Sequence, residues 1–342
     1  MVRLLRPSLS DPWTPARDRS TPPDWTSSPT ASDWHERFPP PHPYGCRTRL
    51  VRAASPPKGH PVTTSRPFAQ IDVFSETPYL GNPVAVILDG EGLTRDDMQR
   101  IARWTNLSET TFVLPTTDDA ADYRLRIFTP GGELPFAGHP TLGSAHAWLE
   151  NGGTPKKGGR IIQECGAGLV EVRVDAGRVS FAAPPTLRSG PLEPELLARI
   201  IEAYGITKEQ VVAHQWIDNG PGWAVVQLAS AHEVLDLDPD FSLLPDDMVG
   251  AVGAYPAGAA HAFELRSFAP RIGVDEDPVC GSMNASTAQW MHRTGAAPGS
   301  SWRVSQGARL GRAGDITVTV DDSGAVWVGG ATTTLFTGTA LA

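Results

Sequence analysis

Two short segments, in opposite halves of the chain, place a glycine and a polar residue directly before an alanine-rich helical pattern. Gly138 and His139 open "GHPTLGSAHAWL", and Gly281 and Ser282 open "GSMNASTAQWM". The start of a helix offers unpaired backbone N–H groups and a partial positive charge, which bind carboxylate or phosphate groups. Glycine there lets a ligand approach the backbone closely. Either segment alone fits a tight turn into a buried helix, but the pair predicts two anion-binding helix starts that face one cleft.

Two ionisable residues in the first half could transfer protons. Glu109 opens an apolar strand pattern in "NLSETTFV". A carboxyl buried there would have a raised pKa suited to acid–base work, whereas Ser108 equally suits a solvated strand edge, and the residues alone leave both readings open. His139 lies at the helix start, where the helix dipole lowers the pKa of an imidazole. Its ring would stay neutral near pH 7 and able to pass a proton.

Two residues in the second half raise similar questions. Asp277 lies in "DEDP", just before the second helix pattern. The simplest interpretation is an acidic flank that stabilises the helix dipole, a role that Asp275 and Glu276 could also fill. Cys280 precedes Gly281 directly, and a thiol at a helix start has a lowered pKa and could act as a base. The alternative is that Cys280 is a small, semi-apolar packing residue.

The net charge, the hydrophobic pattern and the cysteine count exclude several classes of protein. The chain has 342 residues and a net charge of -9, which gives no reason to expect nucleic-acid binding. The sequence contains no run of about 18 apolar residues, so no membrane span is predicted. The first residues lack the apolar core of a secretory signal. The 3 cysteines are widely scattered, which excludes a closed cysteine cage for zinc and argues against a disulfide framework. We therefore expect a cytoplasmic protein without a metal site.

Residues 1–67 differ from the remainder in composition. They hold 10 of the 29 Lys and Arg residues, 5 of the 38 Asp and Glu residues, and 14 of the 32 prolines. Proline at this density blocks both helices and strand ladders, so this segment is predicted to be a disordered extension. The alternatives are a basic docking tail carrying Trp13, Trp25 and Trp34, or a translation start assigned too early.

From Phe68 onward the chain predicts an α+β fold. Strand patterns such as "FAQIDVF" outnumber helix patterns, without the strict strand–helix alternation of a parallel doubly wound sheet. In one short helix Thr94 is the expected N-cap and Asp97 its capping-box partner, and another helix is expected to end at Gly205. Each half has one alanine-rich helix suited to burial inside a strand layer. We therefore expect related domains at 68–185 and 186–342, with the last strand able to cross back to the first domain.

Several of these segments together resemble the PhzF-like isomerases, a family named for phenazine biosynthesis. The resemblance rests on the motifs "QIDVFSETPYLGNPVAVIL", "NLSETTFVLP", "FTPGGELPFAGHPTLGSAHAWL" and "EDPVCGSMNAS", and "SQGARLGR" resembles a late family segment. It runs from about Phe68 to the C-terminus and leaves out the first 67 residues. It implies a diaminopimelate-epimerase-like fold of two pseudo-symmetric halves, each a strand layer around a central helix, with the site between them. A homodimer is expected by the same analogy.

The resemblance also implies cofactor-free acid–base catalysis on a small carboxylate substrate. By motif, the catalytic residues of the family correspond to Glu109, His139 and Asp277. Glu109 would carry a proton between two carbons, and the other two would position polar groups and assist transfer. The substrate-binding residues of the family correspond to Gly138, Gly281 and Ser282, and Cys280, directly before Gly281, is assigned to the same substrate-binding set. The backbone N–H groups of the glycines would hold the carboxylate.

Cys280 departs from the family pattern, since many members have threonine before the Gly-Ser pair. Related epimerases and racemases use two cysteines, one at each helix start, and the first of these positions corresponds to Ala137. A PhzF-like isomerase is therefore the leading hypothesis. The alternatives are a Cys280-dependent epimerase or dehydratase of an amino or hydroxy acid, and a small-molecule binding protein without turnover.

Overall fold

The computed structural model describes residues 64–175 and 177–342 of the chain. Most of the predicted disordered extension, with its three tryptophans, lies outside this part. The boundary at residue 67 was wrong, because the first strand begins at Ser65. Ser65 pairs with Leu341 in the last strand, and the buried Arg66 side chain donates hydrogen bonds to the carbonyls of Ala342 and Asp89. The C-terminal strand thus supplies the partner that orders this segment.

The described residues form helices and many short strands. The helices are α1 (Arg95–Thr105), α2 (Gly138–Glu150), α3 (Pro194–Tyr204), α4 (Ala231–Asp236) and α5 (Gly281–Thr294). The strands of the first half of the chain are β1 (Ser65–Val73), β2 (Asn82–Ile87), β3 (Glu109–Leu114), β4 (Tyr123–Phe128), β5 (Glu133–Leu134), β6 (Arg160–Cys165), β7 (Gly168–Asp175) and β8 (Arg178–Ala182). The later strands are β9 (Arg188–Gly190), β10 (Ala213–Asp218), β11 (Trp223–Leu228), β12 (Met248–Ala254), β13 (Phe263–Ala269), β14 (Val274–Asp277), β15 (Ser301–Gln306), β16 (Gly314–Val320), β17 (Val326–Gly330) and β18 (Thr332–Leu341).

The strands join into one continuous sheet that contains an internal repeat. Its order is β18-β1-β2-β3-β4-β6-β7-β8-β17-β16-β15-β13-β12-β11-β10-β9, with β5 beside β4 and β14 beside β13. The pairs β2–β3 and β4–β6 are parallel, as are β11–β12 and β13–β15, and the other pairs are antiparallel. The run from β1 to β8 therefore repeats as β10 to β17, with α1 matched by α4 and α2 by α5. The last strand, β18, pairs with β1 and so lies in the first half.

Each half wraps its strands around one buried helix. Nine of the 13 residues of α2 and ten of the 14 residues of α5 are buried. The helix α2 packs against β1, β2 and β8, and α5 packs against β16 and β17. Small side chains allow this close approach: a Cβ added to Gly143 of α2 would lie 2.4 Å from a methyl group of Val84 in β2. This is the α+β architecture predicted from the alanine-rich patterns.

The predicted helix ends are also confirmed. Thr94 caps α1 by accepting a hydrogen bond from the backbone of Asp97, and the Asp97 side chain completes the capping box. Gly205 ends α3 with a φ of 64°, which glycine adopts without strain. None of the helices in the described ranges is long and apolar enough to cross a membrane.

Candidate active site

The N-terminal ends of α2 and α5 meet between the two halves. A Cβ added to Gly138 would lie 3.0 Å from the Cα of Gly281, and one added to Gly281 would lie 3.1 Å from the Cα of Gly138. Glycine is therefore required at both positions for the two helix starts to come this close. As predicted from the duplicated motif, the two positive helix ends converge on one place.

A cavity of about 210 Å³ opens at this meeting point. All of the sequence-predicted site residues line it, and they are Glu109, Gly138, His139, Asp277, Cys280, Gly281 and Ser282. Its walls are otherwise largely apolar, formed by side chains that include Leu134, Phe136, Trp223, Met248, Ile272 and Val274. A dry apolar cavity of about 150 Å³ is known to hold a benzene ring, so this one has room for a substituted six-membered ring.

Glu109 is the first residue of β3, and its side chain is buried against the cavity. Burial raises the pKa of Glu109 well above its usual value, and the negative charge of Asp277 raises it further. Its Oε2 lies 3.2 Å from Nε2 of His139. The two atoms are not aligned as a hydrogen bond, and neither has a hydrogen-bond partner in the described part of the chain. Of the two readings of Glu109 that the sequence left open, the buried one is therefore correct.

His139 is buried at the start of α2. Burial lowers the pKa of His139 to about 3, against a smaller opposing effect of the Pro83 carbonyl, which hydrogen-bonds the ring. The predicted direction of the shift is correct, although burial is its main cause. The imidazole is therefore neutral at pH 7 and can accept a proton at Nε2 or share one with Glu109.

Asp277 ends β14 and reaches the cavity from the second half. The residue as a whole is partly exposed, but its carboxyl group is enclosed by the protein. Burial of the carboxyl raises the pKa of Asp277 to about 6. Hydrogen bonds from the Val279 backbone and the Asn82 side chain oppose that rise. Asp277 is thus a functional-site candidate with its own contacts. The charge of its neighbour Glu276 is instead used in a buried ion pair with Arg266.

Asn82 was not singled out from the sequence, where it was read only as part of a turn. Its side chain is fully buried, and its Nδ2 donates to Asp277 Oδ1 at 2.8 Å and to the Val279 carbonyl at 3.0 Å. The same nitrogen lies 3.2 Å from Nδ1 of His139. Asn82 therefore joins the two halves at the site. A polar residue between a turn and an apolar strand was the available signal.

Cys280 does not have the electrostatics expected of a catalytic base. The thiol is buried, and both burial and the nearby charge of Asp277 raise the pKa of Cys280. Of the two interpretations left open, a pKa lowered by the helix start is not supported, because burial outweighs the helix dipole. Its Sγ lies 3.4 Å from Oγ of Ser282, and Ala137 takes the matching place at the start of α2. The packing interpretation of Cys280 is the one consistent with this environment.

Hydrogen bonds with the side chains of Trp223 and Gln306 hold the start of α5. The hydroxyl of Ser282 accepts a hydrogen bond of 2.9 Å from Trp223 Nε1. The buried Gln306 accepts a hydrogen bond from the backbone of Cys280 and donates one to the carbonyl of Asp277. Residues on both sides of the helix start are therefore held in place. Neither Trp223 nor Gln306 was identified from the sequence, because both lie on distant strands.

Within residues 64–175 and 177–342, His, Cys, Asp and Glu side chains do not gather in any group of three that could hold a metal ion. The ionisable groups at the cavity, besides His139 and Cys280, are instead the carboxyls of Glu109 and Asp277 and the guanidinium of Arg271. Arg271 is exposed. The cavity therefore combines two carboxyl groups, a neutral imidazole and two helix starts, which together can bind an anion and move a proton.

Known proteins with similar sequences and structures were then compared with the chain. The family model described as phenazine biosynthesis-like protein matches residues 71–338. Antisense-enhancing sequence 1 of Schizosaccharomyces pombe is 43% identical over 293 residues, which cover 80% of this chain and 98% of that protein. Trans-2,3-dihydro-3-hydroxyanthranilate isomerase of Pseudomonas aeruginosa is 38% identical over 252 residues, which cover 72% and 87% of the two chains. The crystal structure of a PhzF-family phenazine biosynthesis protein from Enterococcus faecalis matches with a TM-score of 0.66 at 27% identity, and covers 81% of this chain and 99% of that one.

Proposed function

Because the chain belongs to the phenazine biosynthesis-like family of isomerases, we propose that it moves a proton between two carbons of a small carboxylate substrate, with Glu109 as the acid–base group and without a cofactor. Its fold is of the diaminopimelate-epimerase type. The observation that carries this proposal is the buried Glu109 carboxyl, which lies 3.2 Å from His139 in the cleft between two converging helix starts.

The pKa shifts define the starting state for this chemistry. The pKa directions favour the protonated form of Glu109 and the neutral form of His139, and a pKa of about 6 leaves most of Asp277 ionised at neutral pH. Glu109 is therefore ready to act as a general acid. It would protonate one carbon of a substrate double bond and, once ionised, remove a proton from another carbon, so that the double bond moves and Glu109 regains its proton.

His139 and Asp277 have supporting roles in this scheme. Nε2 of His139 can accept a hydrogen bond from protonated Glu109 and so hold the acidic proton near the substrate. Asp277 carries the charge that raises the pKa of Glu109, so its ionisation favours the protonated state of Glu109. A pair of carboxyls with separated pKa values is a recurring arrangement for acid–base catalysis.

The cavity favours a cyclic monocarboxylate as the first substrate to test. The backbone N–H groups of the converging helix starts at Gly138 and Gly281 would hold the carboxylate, as helix N-termini hold anions elsewhere. The apolar walls at Phe136 and Trp223 would pack against the ring. Trans-2,3-dihydro-3-hydroxyanthranilate, the substrate in the name of the Pseudomonas aeruginosa relative, has these features.

The deciding experiment measures turnover and proton exchange in D₂O. The wild-type chain should isomerise this compound and incorporate one deuteron at the new C–H position. Glu109→Gln keeps the size of the side chain but removes the proton donor, so turnover should fall by about 100- to 10,000-fold while the compound still binds. Conversion by Glu109→Gln at the wild-type rate would contradict the role of Glu109. Binding without turnover or exchange by the wild-type chain, for this and other cyclic carboxylates, would support a binding protein instead.

A further inference from the structure

A groove lined by arginines lies in the first half, outside the cavity at the helix starts. A groove of about 530 Å³ runs between the start of α1, strand β4 and the turn after β6. Three arginines line it, Arg95, Arg124 and Arg126, together with one carboxylate, Glu133, and the thiol of Cys165. We call this set of residues the arginine groove. None of these five residues touches the catalytic cavity.

Glu133 cross-links two of the three arginines. Its carboxylate accepts hydrogen bonds of 2.7 and 2.8 Å from Arg126 and one of 3.0 Å from Arg95. Hydrogen bonds from Arg126 and Arg95 lower the pKa of Glu133, against a smaller effect of burial, so the carboxylate stays ionised. The two guanidinium groups are therefore held in fixed places on either side of a single negative charge.

Arg124 has no such partner within the described ranges. Its Nε is buried and makes no hydrogen bond, and no carboxylate of the described residues lies within ion-pair distance of its guanidinium. A buried donor without an acceptor is unfavourable, and a guanidinium offers five N–H groups in a planar fork that fits carboxylate or phosphate oxygens. Arg124 is thus a cation prepared for an acceptor that the described protein does not provide.

The geometry concentrates this unbalanced charge. Arg124 and Arg126 are two residues apart on β4, so they lie on the same face of the strand at a spacing of about 7 Å. Among the side chains that line the arginine groove, three guanidinium groups accompany one carboxylate, an excess of two positive charges. Glu164, the register partner of Arg124 on β6, directs its carboxylate to Thr116 and Thr117 instead. The chain as a whole has a net charge of -9, which makes such a patch unusual on its surface.

We propose that the arginine groove is a binding site for a small multivalent oxyanion, of the kind carried by phosphate groups and by polycarboxylates. Two excess charges favour a dianion over a monoanion such as chloride. Forked hydrogen bonds from arginine select planar or tetrahedral oxyanions. The cross-link through Glu133 fixes Arg95 and Arg126 before binding, which reduces the entropy cost of ordering them.

The test is a calorimetric titration of the full chain with inorganic phosphate and, separately, with citrate, at constant ionic strength set with chloride. We expect saturable binding of one anion per chain for at least one of the two probes. Arg124→Gln should weaken it at least about tenfold, because hydrogen bonds to charged groups are the strong ones. Arg95→Gln, at an exposed position, should weaken it as well. Arg199→Gln makes the same change of charge on α3 in the other half and should leave binding unchanged.

A local readout separates this site from the helix starts of the catalytic cavity. Cys165 lines the arginine groove, whereas Cys280 lines the cavity, so alkylation of each thiol by iodoacetamide can be followed by mass spectrometry. Phosphate or citrate should slow alkylation of Cys165 in the wild type and not in Arg124→Gln. The proposal is overturned if neither probe binds saturably, if Arg124→Gln binds as well as the wild type, if Arg199→Gln loses as much, or if only Cys280 is protected. None of these outcomes bears on turnover by Glu109.

Discussion

The side-chain amide of Asn82, in the first half, donates a hydrogen bond of 2.8 Å to Oδ1 of Asp277, in the second half. The two residues are 195 positions apart in the chain. Their contact joins the halves at the bottom of the cleft, and it opposes the effect of burial on the pKa of Asp277. The protonation state of Asp277, in the second half, therefore depends on Asn82, in the first half.

The first prediction concerns this hydrogen bond. Asn82→Ala removes a donor that lowers the pKa of Asp277, so that pKa should rise above about 6. The acidic limb of the pH–rate profile for isomerisation should then move to higher pH. The variant should also lose about 1–3 kcal/mol of unfolding free energy, because the Asp277 carboxylate and the Val279 carbonyl lose a donor.

Gln99→Ala is the matched control for this variant. Gln99 is buried, and its amide donates to the carbonyl of Thr129, away from the cavity. Its loss should destabilise the fold to a similar degree without moving the pH–rate profile. If both variants leave the acidic limb in place, Asn82 has only a structural role.

The second prediction concerns Cys280. Because the pKa of this thiol is raised and its side chain is buried, Cys280→Ser should keep turnover within about threefold of the wild type, the loss of a single packing contact. Iodoacetamide should alkylate Cys280 more slowly than the half-buried Cys165. Abolition of turnover in Cys280→Ser, with the fold intact by circular dichroism, would instead support a thiol-dependent epimerase or dehydratase.

The third prediction concerns the glycine at the start of α2. A Cβ at position 138 would lie 2.8 Å from the Phe181 ring and 3.0 Å from the Cα of Gly281, so Gly138→Ala should push the helix starts apart. We expect the unfolding free energy to fall by about 1–3 kcal/mol because of overpacking. Substrate affinity should fall by a larger fraction of its wild-type value than the unfolding free energy does. Gly132→Ala is the control, since a Cβ there meets no atom within 4 Å. Equal stability and affinity in the two variants would show that the close approach is not needed.

The fourth prediction follows from the lowered pKa of His139. The pKa of His139 in the folded chain, about 3, lies below the ordinary histidine pKa of 6.5, so the unfolded chain binds this proton first and stability falls as the pH falls below 6.5. Between pH 7 and pH 5 this loss amounts to about 2 kcal/mol. His139→Asn should therefore lose less unfolding free energy than the wild type over that range, measured by urea denaturation.

His232→Asn is the control for this measurement, because the His232 side chain is 84% exposed. This variant keeps His139, so it should still lose unfolding free energy between pH 7 and pH 5 as the wild type does. A wild-type slope in His139→Asn would mean that His139 takes up its proton in the folded state, and the neutral imidazole assumed for catalysis would be wrong.

Much of the fold followed from local chemistry in the sequence. The capping box of Thr94 and Asp97 and the stop at Gly205 depend on neighbouring residues, so they could be predicted. The short helix α4 was missed, although Ser230 and Glu233 form a capping box before it. A last strand able to cross back to the first domain was expected, and β18 pairs with β1 in this way. The residues of β18 were not assigned, because its threonine-rich sequence has no alternation and its order comes from that pairing.

The candidate site, like the fold, could be predicted only in part from the sequence. The converging helix starts were visible as a duplicated local pattern, and the family motifs singled out Glu109, His139 and Asp277, which line one cavity. The contact between Asn82 and Asp277 was not predictable, because only the folded pairing of the halves brings these side chains together. Whether Cys280 is a base or a packing residue stayed open at the sequence level, because the sequence shows the helix start but not the depth of burial that raises the pKa of this thiol.

Because β18 pairs with β1, the two halves of the fold complete their strand pairing at different stages of translation. The half that holds Glu109 and His139 leaves the ribosome first, but its outer strand, Thr332–Leu341, follows every strand of the second half in the chain. A nascent chain therefore exposes the edge of β1 until β18 has been synthesised, whereas the run from β9 to β17 already contains every strand of the second half. A premature stop codon just before Thr332 would thus damage the half that was made first.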